Sequence, residues 1–188
     1  MKKHIIYIAL GLMAAVATSC QTEEIETFTT DDSMVYFQKT GYVTSAGGEG
    51  YSNSTSFSFV GYTEKMTSVT FAGEIRTMGK VRDYDRAVKV VVDEENTTME
   101  LGKDFEVDLD TVKVRAGTNI TKVNVKFLRT MRLREEPVKL VLKLLPNEHF
   151  KVLEKYKSSN SYSASEDDVV DGSKFSFEIV EVYSCPSS

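Results

Sequence analysis

Apolar and polar residues alternate with a period of two along much of this chain, and that pattern constrains the fold more than any other feature. In residues 122–127, for example, Val123, Val125 and Phe127 occupy one parity, and polar residues occupy the other. Neighbouring side chains of a β-strand point to opposite faces, so the spacing predicts a strand with one buried face. A register shift of one residue would bury the lysines, which fixes the register.

The same alternation recurs in five further segments, at residues 55–60, 69–75, 87–92, 138–144 and 175–182. Turn-forming glycine, asparagine and proline residues separate the segments. Many short strands with turns between them predict an all-β, immunoglobulin-like antiparallel sandwich. We expect one short helix around residues 149–156 and a long exposed loop at residues 158–171.

The first 19 residues predict a cleaved signal peptide. Lys2 and Lys3 precede thirteen uncharged, mostly apolar residues at 5–17. Such a run is shorter than the roughly 20 residues that a membrane-spanning helix needs, and a basic start before a short apolar stretch is typical of secretory signals. Residues 1–19 are therefore excluded from the folded domain.

Two cleavage sites compete at the end of this leader. Residues 15–17, Ala-Val-Ala, fit ordinary signal peptidase, whereas residues 17–20, Ala-Thr-Ser-Cys, resemble a lipobox, although lipoboxes usually have leucine in place of Ala17. We expect the second site, at which Cys20 becomes the N-terminus and carries a thioether-linked diacylglycerol and palmitate. Two or more acyl chains anchor a protein durably, so a membrane is an expected partner.

Residues 20–33 are rich in threonine and acidic residues and are expected to form a flexible tether, which leaves residues 34–188 for the β-sandwich domain. The run Gln-Thr-Glu-Glu-Ile-Glu at residues 21–26 resembles the export signal of Bacteroidota lipoproteins. That resemblance implies the outer face of the outer membrane. A solvated acidic linker is the alternative interpretation, and the two are compatible.

The charge balance argues against a nucleic-acid partner. The chain has 23 lysines and arginines against 28 aspartates and glutamates, a formal charge of −5 that removal of the leader would make more negative. Nucleic-acid binding needs clustered basic residues. Acylation of Cys20 would leave Cys185 as a lone thiol, because the chain has 2 cysteines.

A recurrent order of motifs runs through residues 85–150. It comprises Asp85-Arg86, the turn Leu101-Gly102-Lys103-Asp104-Phe105, the turn Ala116-Gly117-Thr118, the strand end Leu128-Arg129-Thr130, and a leucine-rich strand closed by Pro146-Asn147. Gly102 and Gly117 permit turns with positive φ, and Asp104 can bond its own loop backbone. This order resembles the uncharacterised Bacteroidota lipoprotein domain found beside SusC/SusD-type loci, and more distantly the Calx-beta sandwich.

The resemblance implies a function in glycan capture at the cell surface. Its expected partners are a polysaccharide and SusC/SusD-like outer-membrane proteins, with the chain itself a lipid-anchored monomer. Members of the resembled family continue well past the position of Cys185. The resemblance therefore also implies that residues 183–188 end a shortened C-terminal region.

Calcium is a further implication of the likeness to Calx-beta domains, which bind the ion through loop carboxylates. The positions to examine are Glu94, Glu95, Glu135 and Glu136. Arginines occupy neighbouring positions where more carboxylates would be needed. No other metal site and no cofactor is expected.

No catalytic machinery is expected either. His149 is the one histidine outside the leader, and no serine or cysteine motif accompanies it. A nucleophile needs a base held against it, so a packing or surface histidine is the simpler interpretation. The many acidic residues show no spacing that would pair two carboxylates across a cleft.

Aromatic faces are the usual platforms for sugar rings, and the chain has no tryptophan. The candidate glycan contacts are therefore tyrosines in or near predicted loops, namely Tyr42, Tyr51, Tyr62 and Tyr84. The alternative is that they cover the rim of the sandwich.

Two Asp-(Ser/Thr)-apolar triplets resemble the Bacteroidota O-glycosylation pattern and make Ser33 and Thr111 candidate modification sites, with a turn and a strand start as the alternative interpretation. Taken together, these features predict a non-catalytic outer-membrane surface lipoprotein that is accessory to glycan or nutrient binding and uptake. The alternative is a structural or adhesive, pilus-like surface lipoprotein.

Overall fold

The computed structural model describes residues 33–43, 49–157 and 169–182, which form β-strands, two short 3-10 helices and no α-helix. None of the described helices is long and apolar enough to cross a membrane. The strands are β1 (Met34–Phe37), β2 (Thr40–Val43), β3 (Glu49–Ser52), β4 (Ser54–Ser58), β5 (Ser68–Met78), β6 (Arg86–Ala87), β7 (Lys89–Val92), β8 (Phe105–Val107), β9 (Lys113–Val114), β10 (Ile120–Leu128), β11 (Val138–Leu145), β12 (Lys151–Val152), β13 (Lys155–Lys157), β14 (Val169–Asp171) and β15 (Lys174–Val180). The 3-10 helices are Glu94–Asn96 and Met131–Arg134.

Two sheets form the body of the fold. Sheet A has the strand order β12-β1-β5-β10-β8, and sheet B has the order β4-β15-β11-β7. Most neighbouring strands are antiparallel, but β12 runs parallel to β1 and β4 runs parallel to β15. Three two-stranded pairs, β2-β3, β6-β9 and β13-β14, complete the described part of the chain.

The core lies between the two sheets, as a β-sandwich requires. Phe37 of β1 packs on Phe175 of β15 with ring centroids 5.6 Å apart, and Phe127 of β10 packs on Phe177 at 5.2 Å. All four rings are buried. Burial of such a side chain stabilises the fold by about 1.5–3 kcal/mol, so the facing phenylalanines hold the sheets together. The predicted all-β sandwich is confirmed.

The alternation predicted the strands well and their partners less well. Val123, Val125 and Phe127 are buried within β10, whereas the lysines beside them are exposed. The segment predicted at residues 87–92 is divided between β6, which pairs with β9, and β7, which joins sheet B. A strand that changes partner at one residue keeps its period of two, so the alternation gives no sign of the change.

The helix predicted around residues 149–156 is wrong. These residues contribute β12, which pairs with β1, and the start of β13, which pairs with β14. The Tyr156 ring lies 5.0 Å from the Tyr36 ring, and its hydroxyl donates to the carbonyl oxygen of Phe37 at 3.0 Å. Pairing with distant strands therefore overrides the weak local preference for helix. Within the predicted loop at 158–171, residues 169–171 form β14, and residues 158–168 lie outside the described part.

The strand register defines two ends of the sandwich. Met34 lies opposite Met78, and Ile120 lies opposite Arg76, so the chain enters at the end that holds loops 79–85, 115–119 and 146–150. We call this the proximal end. The opposite, distal end holds loops 59–67, 93–104 and 129–137, together with Glu181 after β15.

Candidate functional site

A buried ion network closes the distal end. Arg129 donates two hydrogen bonds to the Glu181 carboxylate, from Nη2 to Oε1 at 2.7 Å and from Nε to Oε2 at 2.8 Å, and Arg134 Nε adds a third to Oε1 at 3.1 Å. The Glu181 side chain is 1% exposed and that of Arg129 is 6% exposed. Arg129 also donates to the carbonyl oxygens of Thr63 and Met66. The network thus ties the loop after β4 to the ends of β10 and β15.

The hydrogen bonds from Arg129 hold the pKa of the Glu181 carboxyl below its ordinary value, and the charges of Arg129 and Arg134 act in the same direction. Burial alone would raise that pKa. The carboxylate is charged and fully partnered, so it belongs to the framework of the domain rather than to a reactive site.

Asp104 anchors the turn that the sequence singled out. Its buried carboxylate accepts hydrogen bonds from the Glu100 backbone N–H at 3.0 Å, the Thr130 hydroxyl at 3.3 Å and Arg132 Nη1 at 3.3 Å. Gly102 has a φ of 79°, in the left-handed region that favours glycine. The prediction that Asp104 bonds its own loop backbone is confirmed.

Replacing Asp104 with asparagine is expected to lower the free energy of unfolding by about 1.5–3 kcal/mol, because three donors would lose a charged acceptor in a buried position. Urea unfolding followed by circular dichroism measures the change. Asp83→Asn, at an exposed position of loop 79–85, is the matched control and should change little. Equal losses in the two variants would contradict the framework function of Asp104.

The calcium candidates are spread over two places. Glu94 and Glu95 begin the 3-10 helix Glu94–Asn96, and Glu135 and Glu136 follow Met131–Arg134. Arg132 Nε donates to Glu136 Oε1 at 3.1 Å. Within residues 33–43, 49–157 and 169–182, no three histidine, cysteine or acidic side chains form a group that would hold a metal ion.

Two of the four candidate tyrosines, Tyr62 and Tyr84, have described side chains, and these lie at opposite ends of the sandwich. Tyr62 lies half-exposed at the distal end, with its ring 5.4 Å from that of Phe57, and Tyr84 lies half-exposed at the proximal end, 6.2 Å from the His149 ring. Tyr42 and Tyr51 belong to β2 and β3, and their side chains lie outside the described part of the structure. Tyr62 and Tyr84 therefore cannot contact one sugar together.

The two candidate modification sites differ in exposure. Ser33 is buried, and its hydroxyl oxygen accepts a hydrogen bond from Arg86 Nη1 at 3.2 Å. Thr111 is exposed and donates to Asp108 Oδ2 at 2.9 Å. Of these two candidates, Thr111 is the one with an exposed side chain. Cys20 and Cys185 lie outside the described residues.

Arg86, of the Asp85-Arg86 motif, is a buried cation, and its burial could not be predicted from the motif. Its guanidinium lies 4.7 Å from the centre of the Phe150 ring, and burial lowers its pKa. Two of its nitrogens, Nε and Nη2, have no hydrogen-bond partner among the described residues. Its hydrogen bond to Ser33 joins β6 to the residue that precedes β1, which is where the chain enters the sandwich.

A polar cleft of about 290 Å³ lies beside β10. It forms because β8 pairs only with residues 125–127, so the first half of β10 has no strand on that side among the described pairings. Val112 and Val123 form its apolar lining, and its polar lining includes Asp108, Thr111, Arg115, Thr121, Lys122 and Asn124. Both Asp108 oxygens already accept hydrogen bonds within the turn at residues 108–111. The donors that remain include hydroxyl, amide and cationic groups.

Comparison with known proteins gives a family but no established activity. A model of DUF4843, described as a domain of unknown function, matches residues 15–164. No curated protein matches the chain. A crystal structure at 1.50 Å of a candidate carbohydrate-binding protein from Bacteroides ovatus is 15% identical, with a TM-score of 0.42 over 80% of this chain and 37% of that one. The chain thus spans little more than a third of that protein.

The family match confirms that the chain carries an uncharacterised domain, as the motif order between residues 85 and 150 predicted. A SusC/SusD-type gene neighbourhood stays a prediction. Because the matched region, residues 15–164, covers well over half of the sequence, the chain belongs to the DUF4843 family.

Proposed function

We propose that this chain is a non-catalytic lipoprotein of the outer-membrane surface, anchored through acylated Cys20, that binds glycans as an accessory of SusC/SusD-type uptake. The anchor rests on the leader and the lipobox-like residues 17–20. The binding function rests on the polar cleft beside β10, which offers several hydrogen-bonding side chains around one concave surface.

The chemistry of the cleft suits a polyhydroxylated ligand. Sugars present many hydroxyl groups, and Thr121, Asn124 and Lys122 supply matching donors and acceptors. At about 290 Å³ the cleft lies just below the roughly 300–1,000 Å³ that is typical of ligand sites, so it fits a short segment of a glycan. None of the described residues that line it is aromatic. Binding is therefore expected to rely on hydrogen bonds and to be modest in affinity.

Charge favours glycans with acidic groups. Lys113 is paired with Asp85 at 2.8 Å, and Lys122 lies 4.0 Å from Glu74, at the outer limit of an ion pair. Arg115 adds a third cation to the lining, against one carboxylate, Asp108, which keeps its charge although its oxygens accept hydrogen bonds within its own turn. A uronic-acid chain would therefore bind more tightly than a neutral one.

Affinity gel electrophoresis of the full chain in detergent tests this function, with pectin, xylan and dextran as the embedded polysaccharides. We expect retardation that is strongest in pectin and that falls by about tenfold in Lys122→Ala/Asn124→Ala, a loss of about 1.4 kcal/mol in binding. Lys126→Ala is the matched control. Lys126 is exposed on the same strand but pairs with Glu106 outside the cleft, at 3.1 Å.

Three results would contradict the proposal. Equal retardation of the double variant and wild type would place binding elsewhere, and hydrolysis of a polysaccharide by the purified chain would end the non-catalytic assignment. No retardation in any gel, together with assembly of the chain into polymers, would favour the structural or adhesive alternative.

A further inference from the structure

Among the described residues, exposed apolar side chains lie at both ends of the sandwich, with Tyr62, Leu101, Met131 and Val182 at the distal end and four others at the proximal end. Met78, Val81, Tyr84 and Ile120 are each between 38% and 51% exposed. Met78 ends β5, Ile120 begins β10, and loop 79–85 joins the turn before β10 through the hydrogen bond from the Gly117 N–H to the Arg82 carbonyl at 2.8 Å. Apolar exposure alone therefore does not distinguish the two ends, and the entry point of the chain and the charges decide which end contacts a second body.

The N-terminal segment joins the domain at the same end. Ser33 precedes Met34, which lies opposite Met78 in sheet A. Ser33 is held from two sides, by Arg86 at its hydroxyl and by the Lys151 N–H at its carbonyl oxygen, at 3.2 Å and 3.0 Å. Any anchor upstream of Ser33 is therefore attached to the domain at its proximal end.

The length of the upstream segment limits how far that end can lie from the membrane. Twelve residues lie between Cys20 and Ser33, so thirteen residue-to-residue steps join them. A flexible chain of that length has a root-mean-square span of about 20 Å, and about 45 Å is its fully extended limit. An acyl chain on Cys20 would hold the proximal end close to the lipid headgroups.

The proximal end is more basic than the distal end, so an anionic surface would attract the proximal end. The proximal end carries more basic than acidic residues: the basic ones are Lys80, Arg82, Lys113, Arg115 and Lys151, and the acidic ones are Asp83, Asp85 and Glu148. Lys113 pairs with Asp85 at 2.8 Å. The distal end has six exposed acids against three exposed cations among the described residues; the acids are Glu64, Glu94, Glu95, Glu100, Glu135 and Glu136, and the cations are Lys65, Lys103 and Arg134. Basic residues are attracted to anionic lipid headgroups and acids are repelled.

We propose that the proximal end rests on an anionic lipid surface, with Val81 and Tyr84 inserted among the headgroups and Lys80 beside the lipid phosphates. The inference rests on the proposed acylation of Cys20. It gives Tyr84 the position of an interfacial aromatic, with its apolar ring in lipid and its hydroxyl in water. The domain then stands upright, with the distal end directed away from the membrane.

The absence of tryptophan from the sequence allows a direct test. Tyr84→Trp and Tyr62→Trp each introduce one fluorophore at a half-exposed position, at the proximal and distal ends respectively. Each acylated full chain is placed in vesicles of phosphatidylcholine and phosphatidylglycerol, with or without bromine on the acyl chains. We expect bromine to reduce the Tyr84→Trp emission by about half, because interfacial side chains enter the outer 5–10 Å of the bilayer, and to leave Tyr62→Trp unchanged. Adding Val81→Asp to Tyr84→Trp should abolish the quenching.

The outcomes distinguish failure of the lipid contact from failure of the acylation. If the chain floats with vesicles but Tyr84→Trp is quenched no more than Tyr62→Trp, the lipid contact is wrong and the anchor stands. If the chain does not float, acylation is wrong and the inference is lost with it. A concentration-dependent blue shift of Tyr84→Trp without lipid would assign this end to a second copy of the chain and overturn the proposal.

Discussion

Replacement of Glu181 with alanine is expected to lower the free energy of unfolding by about 3–5 kcal/mol, because it leaves the buried Arg129 without its counter-charge. Arg129 is 6% exposed and donates two hydrogen bonds to this carboxylate, so water cannot replace the lost partner without opening the distal end. Urea unfolding followed by circular dichroism gives the difference.

Glu64→Ala is the matched control for this prediction. Glu64 also pairs with an arginine, Arg134, at 2.7 Å, but its side chain is 80% exposed. Exposed pairs contribute little because water screens them. We therefore expect Glu64→Ala to leave the free energy of unfolding nearly unchanged. Equal effects of the two substitutions would show that burial does not set the strength of the network.

Acid should remove the difference between wild type and Glu181→Ala. The folded pKa of Glu181 lies below its ordinary value of 4.5, so its contribution is complete above that pH and is lost as the pH falls through the folded pKa. Asp85 and Asp93 also have lowered pKa values, through hydrogen bonds from Lys113 and Lys174, and both proteins share these contributions. A difference that stayed constant into acid would contradict the assignment to the Glu181 charge.

The strands could be predicted from the sequence because alternation is a local property. Burial of Val123, Val125 and Phe127 follows directly from their spacing. Strand partners are not local: Ser54 of β4 lies opposite Ser176 of β15, and Met34 lies opposite Lys151 of β12. Both pairings are parallel and join distant segments. The local sequence at residues 149–156 therefore predicts helix, because it does not show the distant strand with which β12 pairs.

In the candidate site, too, local contacts could be predicted from the sequence and contacts between distant residues could not. The turn around Asp104 could be predicted, because glycine and aspartate act on the backbone within five residues of each other. The network at Glu181 could not, since Arg129 is 52 positions away. Nor could the cleft, which depends on where β8 leaves β10 and not on any motif.

Gly172→Ala is expected to lower the free energy of unfolding by about 2–4 kcal/mol, although no motif marks this glycine. A Cβ at this position would collide with the carbonyl oxygen of Leu153 and touch the Tyr156 ring. The backbone cannot move away freely. Gly172 donates to the Glu154 carbonyl at 2.9 Å and accepts from the Phe37 N–H at 2.8 Å, so any displacement breaks the link between β1 and the β13-β14 pair.

Gly117→Ala distinguishes this steric cause from the general cost of replacing glycine. Gly117 has a φ of 74° and nothing within 4 Å of an added Cβ, so its substitution costs only the strain of a left-handed backbone, about 1 kcal/mol. Denaturation midpoints of the two variants measure the difference. If Gly172→Ala were no more destabilising than Gly117→Ala, the close packing of residues 153–156 against Gly172 would be wrong. A larger loss for Gly172→Ala would show that this glycine is required for lack of space and not for its torsion angles.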